Sequence, residues 1–124
     1  MSTYIRKTSS QLGLDSRSDS KLKVFAENSW RVWDDKFKGD PLPSLLGLTA
    51  EAGEVSDVWF KAMRNDVEVN KADVISEVGD VLFYLSVIAQ ENGFTLEDSI
   101  ASNIKKLADR ESRGAIHDKT NRSL

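Results

Sequence analysis

The chain has 124 residues, with 17 Lys and Arg against 20 Asp and Glu, no cysteine and a single histidine. A chain of this length usually forms one domain, and its composition excludes disulfides, thiolate metal ligands, a cysteine nucleophile and a multi-histidine metal site. The longest apolar stretch, residues 81–89, is far shorter than the ~20 residues that cross a bilayer, and the amino terminus has no apolar signal core, so we expect a cytoplasmic protein without membrane contact.

Charge is distributed unevenly along the chain. The net charge is +3 over residues 1–39, −9 over residues 40–100 and +3 over residues 101–124. An acidic centre between basic flanks argues against stable nucleic-acid binding along the chain. It is compatible with a site in which carboxylates bind cations and nearby basic groups bind an anionic substrate. Solvated helix faces would give the same composition.

The first 19 residues are predicted to form a flexible leader, and residues 20–124 a single domain. Residues 1–20 contain eight Ser and Thr and little apolar periodicity, as segments outside a packed core usually do. Apolar residues then recur at helical spacing over four segments, residues 20–37, 41–63, 70–91 and 95–113.

Helix boundaries are marked by glycines and by capping residues. Gly39, Gly93 and Gly114 follow predicted helix ends, and Thr95 with Asp98 resembles a capping box. No segment shows the alternation of a strand, and short connections favour antiparallel neighbours. We therefore expect an all-α domain of the four-helix-bundle type.

The second and third predicted helices carry the longest apolar stripes, at spacings of three and four residues. We expect both stripes to face the core. On the second helix the stripe is Leu45, Leu48, Ala52, Val55, Trp59 and Ala62, and on the third it is Val74, Val78, Val81, Leu85 and Ile88.

Two acidic segments look like copies of one pattern. Glu51-Ala52-Gly53-Glu54 lies on the second predicted helix, and Glu77-Val78-Gly79-Asp80 lies on the third. Each pair of acids is three residues apart, hence on one helix face and at the edge of the apolar stripe. All four carboxylates are predicted to face the groove between the two helices.

The glycines in these segments predict that the two backbones approach closely. A glycine inside a helix costs about 1 kcal/mol relative to alanine, so Gly53 and Gly79 suggest a packing reason. Four converging carboxylates repel one another unless a cation lies between them. With oxygen ligands only, Mg²⁺ is expected, with Mn²⁺ as a substitute. Acids that merely border a bundle seam remain the alternative on these residues alone.

The acidic motifs belong to a wider pattern. They follow Leu46-Gly47-Leu48 and lead into Val81-Leu82-Phe83-Tyr84-Leu85. Further matching positions follow at Asn103, Lys106-Leu107, Asp109-Arg110, Arg113-Gly114 and Ile116-His117. Over residues 22–122 this pattern resembles the MazG-like, all-α nucleoside triphosphate pyrophosphohydrolases, in their compact single-domain branch.

Two positions depart from the family pattern. Ala50 stands where many relatives carry a third Glu, which places the chain with the E-x-G-E subgroup that includes the deoxycytidine triphosphate pyrophosphatases and leaves the number of metals open. Residues 118–120 replace a glycine-rich stretch of the family.

The resemblance implies Mg²⁺-dependent hydrolysis of a nucleoside or deoxynucleoside triphosphate to the monophosphate and pyrophosphate, in nucleotide-pool control or house-cleaning. The implied metal ligands are Glu51, Glu54, Glu77 and Asp80. Since Mg²⁺ acidifies water only modestly, we expect one carboxylate to serve as general base, and Glu54 is our choice.

Several side chains are candidates for substrate binding. A row of donors on the fourth predicted helix, at spacings of three, four and three, suits a phosphate tail: Asn103, Lys106, Arg110 and Arg113. The other candidates are Lys61, Tyr84 and, for stacking on a base, Trp30 and Trp33. Each also has a plainer interpretation, as a solvated basic side chain or as part of an aromatic core.

Relatives in the family are dimers or tetramers, so a homodimer or homotetramer is expected. Two alternative functions stay open. One is the same fold acting on a different nucleotide, such as phosphoribosyl-ATP. The other is a non-enzymatic helical module for oligomerisation or regulation, which would bind no metal.

Overall fold

A computed structural model of the chain describes residues 21–115. These residues form four α-helices and a short 3-10 helix, Asp35–Phe37, between the first two. The α-helices are α1 (Lys21–Val32), α2 (Leu42–Arg64), α3 (Lys71–Glu91) and α4 (Leu96–Ser112). Residues 21–115 contain no strand, which confirms the all-α class.

The predicted leader, residues 1–19, and the Ile116-His117 motif lie outside the described residues. Within residues 21–115, no helix combines the length and the apolar character needed to cross a membrane.

The first helix is shorter than the sequence predicted. α1 ends at Val32, and the expected continuation to Phe37 is replaced by the 3-10 turn. Asp34 begins that turn, because its carboxylate accepts a hydrogen bond from the backbone N–H of Lys36 at 3.0 Å. Bonds of this kind compete with the α-helical hydrogen-bond ladder, so Trp33 marks the end of the regular helix.

α2 and α3 form an antiparallel hairpin, the most extensive helix pair among the described residues. Asn70 begins α3, and its side-chain oxygen accepts a hydrogen bond from the backbone N–H of Ala72 at 2.9 Å. The turn before it contains Asp66 at φ 54°, in the left-handed region that Asp tolerates better than most residues. The hairpin places the two acidic segments side by side.

The apolar stripe predicted for α2 divides between two sides of the helix. Leu48 and Val55 are half-buried and Ala62 is buried, whereas Leu45 and Trp59 are 45% and 59% exposed. Alternate members of a series spaced by three and four residues lie seven apart, and the two resulting rows differ by about 60° around the helix. The core covers only one of them, so the prediction that Leu45 and Trp59 face the core is wrong. Val78 on α3, at 42% exposure, departs in the same way.

α1 packs against the carboxyl-terminal half of α3. The side-chain amide of Gln90 donates a hydrogen bond to the backbone carbonyl of Ala26 at 2.7 Å. The Glu91 carboxylate accepts a hydrogen bond from the backbone N–H of Gly39, with N–O distances of 3.1 and 3.2 Å. Between these contacts, Val87 is fully buried. This packing holds the middle of α1 against the end of α3.

The close backbone approach predicted at Gly53 and Gly79 is wrong within the described chain. A Cβ atom at either position would have no neighbouring atom within 4 Å. Helical geometry explains the error, since Gly53 is two residues from Glu51 and therefore about 200° around the helix from it. A glycine at that offset from an inward-facing acid points away from the partner helix.

α4 begins at a capping box, as predicted. The Thr95 hydroxyl accepts a hydrogen bond from the Asp98 backbone N–H at 3.1 Å, and the Asp98 carboxylate accepts one from the Thr95 backbone N–H at 3.0 Å. Leu96 is buried, but residues 97–109 are exposed throughout. In the described chain, α4 is thus anchored at its start and packs little along its length.

Candidate active site

Three of the four predicted metal ligands converge. Carboxylate oxygens of Glu51, Glu77 and Asp80 lie within 4.8 Å of one another. Glu51 comes from α2, and the other two come from one face of α3, three residues apart. Glu51 and Glu77 are half-buried, and Asp80 is exposed. We call these three residues the acidic cluster.

Glu54, the fourth predicted ligand, stands at the edge of this cluster. It is exposed and lines a cavity of about 350 Å³ between the second half of α2 and the first half of α3. Glu77 lines the same cavity, which therefore adjoins the acidic cluster. Glu54 therefore shares this cavity with one member of the acidic cluster.

The same cavity contains acids that the sequence analysis missed. Asp57 and Asp73 line it together with Glu54 and Glu77. Their spacing could have identified them, since Asp57 follows Glu54 by three residues and Asp73 precedes Glu77 by four, both on one helix face. Glu68 is a further acid in the lining, and the other polar lining residues are Lys61, Asn65, Asn70 and Ser76.

The electrostatics of the cluster centre on Glu77. Partial burial raises the pKa of its carboxyl above the ordinary value, because desolvation disfavours the charged form. Neighbouring carboxylates raise that pKa further, in decreasing order Asp80, Glu51, Glu54 and Asp73. Glu77 therefore carries the unfavourable interaction that a bound cation would relieve.

The donor set fits a hard divalent cation. It offers carboxylate oxygens from two helices with no nitrogen or sulfur ligand, which is the chemistry that Mg²⁺ and Mn²⁺ prefer. The cluster is also partly open to solvent, so a bound ion could keep water and substrate oxygens as ligands. Glu51, Glu77 and Asp80 are the residues that would hold it.

Lys61 is the predicted substrate-binding residue that the structure brings into this cavity. Its ammonium lies 2.8 Å from the carboxylate of Asp57, one turn earlier on α2. The hydrogen bond and the charge of Asp57 raise the pKa of Lys61, with a smaller contribution from Glu54. Lys61 is thus the one basic side chain among the lining residues of this cavity, five of which are acids.

The aromatic candidates differ in exposure. Trp33 is 8% exposed, and its indole packs against Phe37, Phe83 and Tyr84 at ring-centroid distances of 5.5, 6.1 and 5.9 Å. This packing covers Trp33, so it contributes to the core here rather than offering an open stacking surface. Trp30 is half-buried, and the ammonium of Lys38 lies 5.2 Å from its ring centroid.

Tyr84 is a packing residue in this structure. A Cβ atom at Gly47 would overlap its ring, and its ring meets that of Phe83 edge-on at 5.2 Å. The sequence analysis quoted Gly47 as a motif residue but did not find its reason, which is room for this ring.

The candidate residues on α4 lie at a different surface. Asn103 and Lys106 line a second pocket of about 380 Å³ near the start of α4. Arg110 is half-buried. Arg113 binds Asp109, with N–O distances of 2.8 and 3.0 Å. Among the residues that line this pocket, none belongs to the acidic cluster.

Comparison with known proteins agrees with this arrangement. The profile of the MazG nucleotide pyrophosphohydrolase domain matches residues 41–114, more than half of the chain. The Gene 37 protein of Mycobacterium phage L5 is 32% identical over 75 residues, which are 57% of this chain and 66%, just under two thirds, of the phage protein. No solved structure matches the chain with statistical significance. The matched region contains α2, α3 and α4, and with them every residue of the acidic cluster.

Proposed function

Because this chain belongs to the MazG nucleotide pyrophosphohydrolase family, we propose that it hydrolyses nucleoside or deoxynucleoside triphosphates to the monophosphate and pyrophosphate. The observation that carries the proposal is the convergence of Glu51, Glu77 and Asp80 from two helices within 4.8 Å. A structural bundle gains nothing from three acids at such short range, since their mutual repulsion destabilises it. The proposed role is nucleotide-pool control or house-cleaning, and the proposed catalytic domain spans residues 20–124, with residues 1–19 as a leader.

The acidic cluster is proposed to hold Mg²⁺, or Mn²⁺ in its place. When bound, such an ion neutralises charge that develops on phosphate oxygens and lowers the pKa of coordinated water. Glu77 would be the central ligand, because its raised pKa reflects the neighbouring carboxylates that a cation would screen. Glu51 and Asp80 complete the set, and Glu54 is proposed as a ligand or as a base beside it.

Glu54 is our proposed general base. It lines the cavity next to Glu77 but stands outside the three oxygens that converge, so its carboxylate is available to accept a proton. In the proposed step, a water oxygen attacks the α-phosphorus while Glu54 takes a water proton. The bond between the α-phosphorus and the bridging oxygen breaks, and pyrophosphate leaves with the electron pair.

Lys61 is proposed to bind the phosphate tail, since it is the lysine in the cavity that the acidic cluster adjoins. The α4 donors are proposed as a second set of substrate contacts: Asn103, Lys106, Arg110 and Arg113. They line or flank a separate surface of the protomer, so we propose that they act in a homodimer or homotetramer, next to a neighbouring copy's site. Trp30, which is half-buried, is the proposed stacking candidate for the base, whereas Trp33 and Tyr84 support the site through packing.

Product analysis tests the proposed function. The protein is incubated with Mg²⁺ and each common ribonucleoside and deoxynucleoside triphosphate, and nucleotides and pyrophosphate are quantified. We expect monophosphate and pyrophosphate in equal amounts, lost in Glu54→Gln and retained in Glu27→Gln, an exposed acid on α1. Release of orthophosphate instead would contradict the proposed bond cleavage. No turnover together with no metal-dependent stabilisation would favour a non-enzymatic module.

A further inference from the structure

A further cavity of the protomer lies on the opposite side of α3 from the acidic cluster. Its volume is about 360 Å³, and its lining residues come from the first half of α1, the end of α3 and the start of α4. Ser86 lines it and lies nine residues after Glu77, hence about 180° around the helix. We call it the α1–α4 cavity. It shares no lining residue with the cavity beside the acidic cluster, so it is separate from the candidate active site.

The interior of the α1–α4 cavity is apolar. Ala89 and Leu96 line it and are 1% and 9% exposed, and most of the surface that the lining leaves accessible is apolar. Its charged lining residues are Lys23, Glu27 and Glu97. Contact between apolar surface and water is unfavourable, so an apolar side chain that filled the cavity would stabilise the fold.

Ser86 is a second, independent indication that the cavity has an occupant. Its side chain is fully buried, and its hydroxyl has no hydrogen-bond partner among the described residues. The other two buried serines of the described chain, Ser29 and Ser44, each donate to a backbone carbonyl three or four residues earlier, at 2.8 and 3.1 Å. A buried hydroxyl without a partner is costly. A segment that entered the cavity with its backbone N–H and C=O groups would remove that cost.

The chain that precedes the described residues joins the molecule beside this cavity. The described structure begins at Lys21, and Lys23 and Ala26, on the first two turns of α1, line the cavity. Residues 1–20 are therefore attached within about one or two helical turns of it. Residues 116–124 follow the far end of α4, whose 17 residues span about 25 Å. Position thus favours residues 1–20 as the occupant.

Residues 1–20 contain a short apolar group at a suitable distance. Leu12 and Leu14 lie nine and seven residues before Lys21, in a segment otherwise rich in Ser and Thr. Seven extended residues span roughly 23 Å, which is several times the distance from Lys21 to the cavity. Both leucines can therefore reach the cavity from the start of α1.

The charges of the two surfaces are complementary. Glu27 and Glu97 outweigh Lys23 in the lining and leave it a net charge of −1. Residues 1–14 contain Arg6 and Lys7 and no acidic residue, a net charge of +2. Exposed ion pairs contribute little to stability, so we assign most of the stabilisation to the leucines. The charges orient the segment, as complementary charges do at interfaces.

We propose that the α1–α4 cavity is the docking site of the chain's own leader, with Leu12 and Leu14 inserted between α1 and α4. A backbone group of the leader forms the missing hydrogen bond to Ser86. The docked leader holds the start of α4 against α1, which matters because α4 packs little beyond its first residues. The proposal does not depend on the proposed catalytic activity.

Disulfide trapping tests the docking directly, because the chain contains no cysteine. Leu14→Cys is combined with Ala26→Cys, a half-buried residue that lines the cavity. The matched control combines Leu14→Cys with Asn28→Cys, an exposed residue two positions later on α1 and about 200° around the helix. The leader can reach both positions equally well. Under mild oxidation we expect a disulfide within one chain for the Ala26 pair, in high yield, and little for the Asn28 pair.

Hydrogen exchange of the full chain measures what the docking stabilises. In Leu12→Ser/Leu14→Ser, the backbone amides in the first two turns of α4 should exchange roughly tenfold faster or more, the expected effect of losing a buried leucine on a local opening equilibrium. Ile5→Ser is the control, since it removes an apolar leader residue outside the proposed contact and should leave exchange unchanged.

Each of three results would overturn the proposal. The first is a disulfide that forms equally well in the Ala26 and Asn28 pairs, or in neither. The second is a disulfide of the Ala26 pair that links two chains only, because the cavity would then hold a neighbouring copy's leader. The third is unchanged exchange at the start of α4 in Leu12→Ser/Leu14→Ser, which would mean that the cavity is open or holds a different molecule.

Discussion

The ring of Tyr84 occupies the space that a side chain at residue 47 would require. This contact joins α2 to α3 one turn before Glu51 and one turn after Asp80, and so it sets the spacing of the two helices at the acidic cluster. Tyr84 has little freedom to yield, because its ring also meets those of Trp33 and Phe83 edge-on at 5.9 and 5.2 Å.

Gly47→Ala should therefore destabilise the fold. Alanine raises helix propensity by about 1 kcal/mol, but the added methyl forces the Tyr84 ring to move, and overpacking of a core costs about 1–3 kcal/mol. We expect a net loss of stability in urea unfolding. Gly79→Ala is the matched control, since it lies within α3 with no atom within 4 Å of the added methyl, and it should be neutral or stabilising.

The cost of Gly47→Ala should depend on the ring of Tyr84. In a Tyr84→Leu background, the clash is relieved and the alanine should regain its helix-propensity advantage. A double-mutant cycle in the same denaturation assay measures this coupling. If Gly47→Ala were equally harmful in both backgrounds, the close contact would not be its cause.

Local structure was predictable from the sequence, and the choice of buried face was not. The Thr95 capping box, the start of α3 at Asn70 and the stops at Gly93 and Gly114 depend on neighbouring residues alone, and the structure confirms them. The end of α1 was missed because Asp34 caps a 3-10 turn, a competition that apolar periodicity does not reveal.

The two-sided character of α2 shows why periodicity is insufficient. Leu45 and Leu48 belong to one apolar pattern, yet Leu48 is half-buried and Leu45 is 45% exposed. Spacing determines which residues share a face, but it does not tell whether the protomer or a second molecule covers that face. The acidic cluster could be predicted because Glu51, Glu77 and Asp80 border the covered row. The wider acidic cavity, with Asp57 and Asp73, required the relative placement of two helices.

Metal binding should stabilise the protein through Glu77. A ligand that binds only the folded state stabilises it by about 2.7 kcal/mol at a hundred times its dissociation constant, so the melting temperature should rise with Mg²⁺ or Mn²⁺ concentration. Glu77→Gln should abolish most of that rise, because it removes the central carboxylate of the cluster. Glu68→Gln, an exposed acid that lines the same cavity, serves as the control. If the metal stabilised Glu77→Gln and Glu68→Gln equally, the ion would bind at a site other than the acidic cluster.

Glu77 should also make the metal-free protein less stable as pH rises. Its pKa is raised in the folded state above the ordinary 4.5. At pH values between the unfolded and the folded pKa, the folded chain therefore binds more protons than the unfolded chain. The contribution of Glu77 to stability is then highest below this pH range, falls as pH rises through it and stays reduced above it.

Denaturation in the presence of a chelator, from about pH 4.5 to about pH 8, isolates this effect when the unaltered protein is compared with Glu77→Gln. The variant should gain stability relative to the unaltered chain as pH rises, since it carries no charge for its neighbours to repel. If the difference in stability between the two proteins were constant with pH, or changed in the opposite direction, Glu77 would not have a raised pKa in the folded state.

Lys61 provides the sharpest test of how the substrate meets the cavity. Its ammonium is held by Asp57 at 2.8 Å, so binding a phosphate requires it to exchange one carboxylate partner for another anion. Lys61→Ala should lower kcat/KM by about 10- to 100-fold, the usual loss for a charge-assisted hydrogen bond to substrate. Asp57→Asn, which releases the ammonium but keeps the shape of the partner, should retain activity and lower KM.

Lys71→Ala is the matched control for Lys61→Ala, because Lys71 is an exposed lysine at the start of α3 that does not line the cavity. Removing either lysine changes the net charge equally, so a general electrostatic effect on an anionic substrate would lower both rates alike. A loss confined to Lys61→Ala indicates a direct contact. Equal losses would remove Lys61 from the binding site and leave the α4 donors as the groups that hold the phosphate tail.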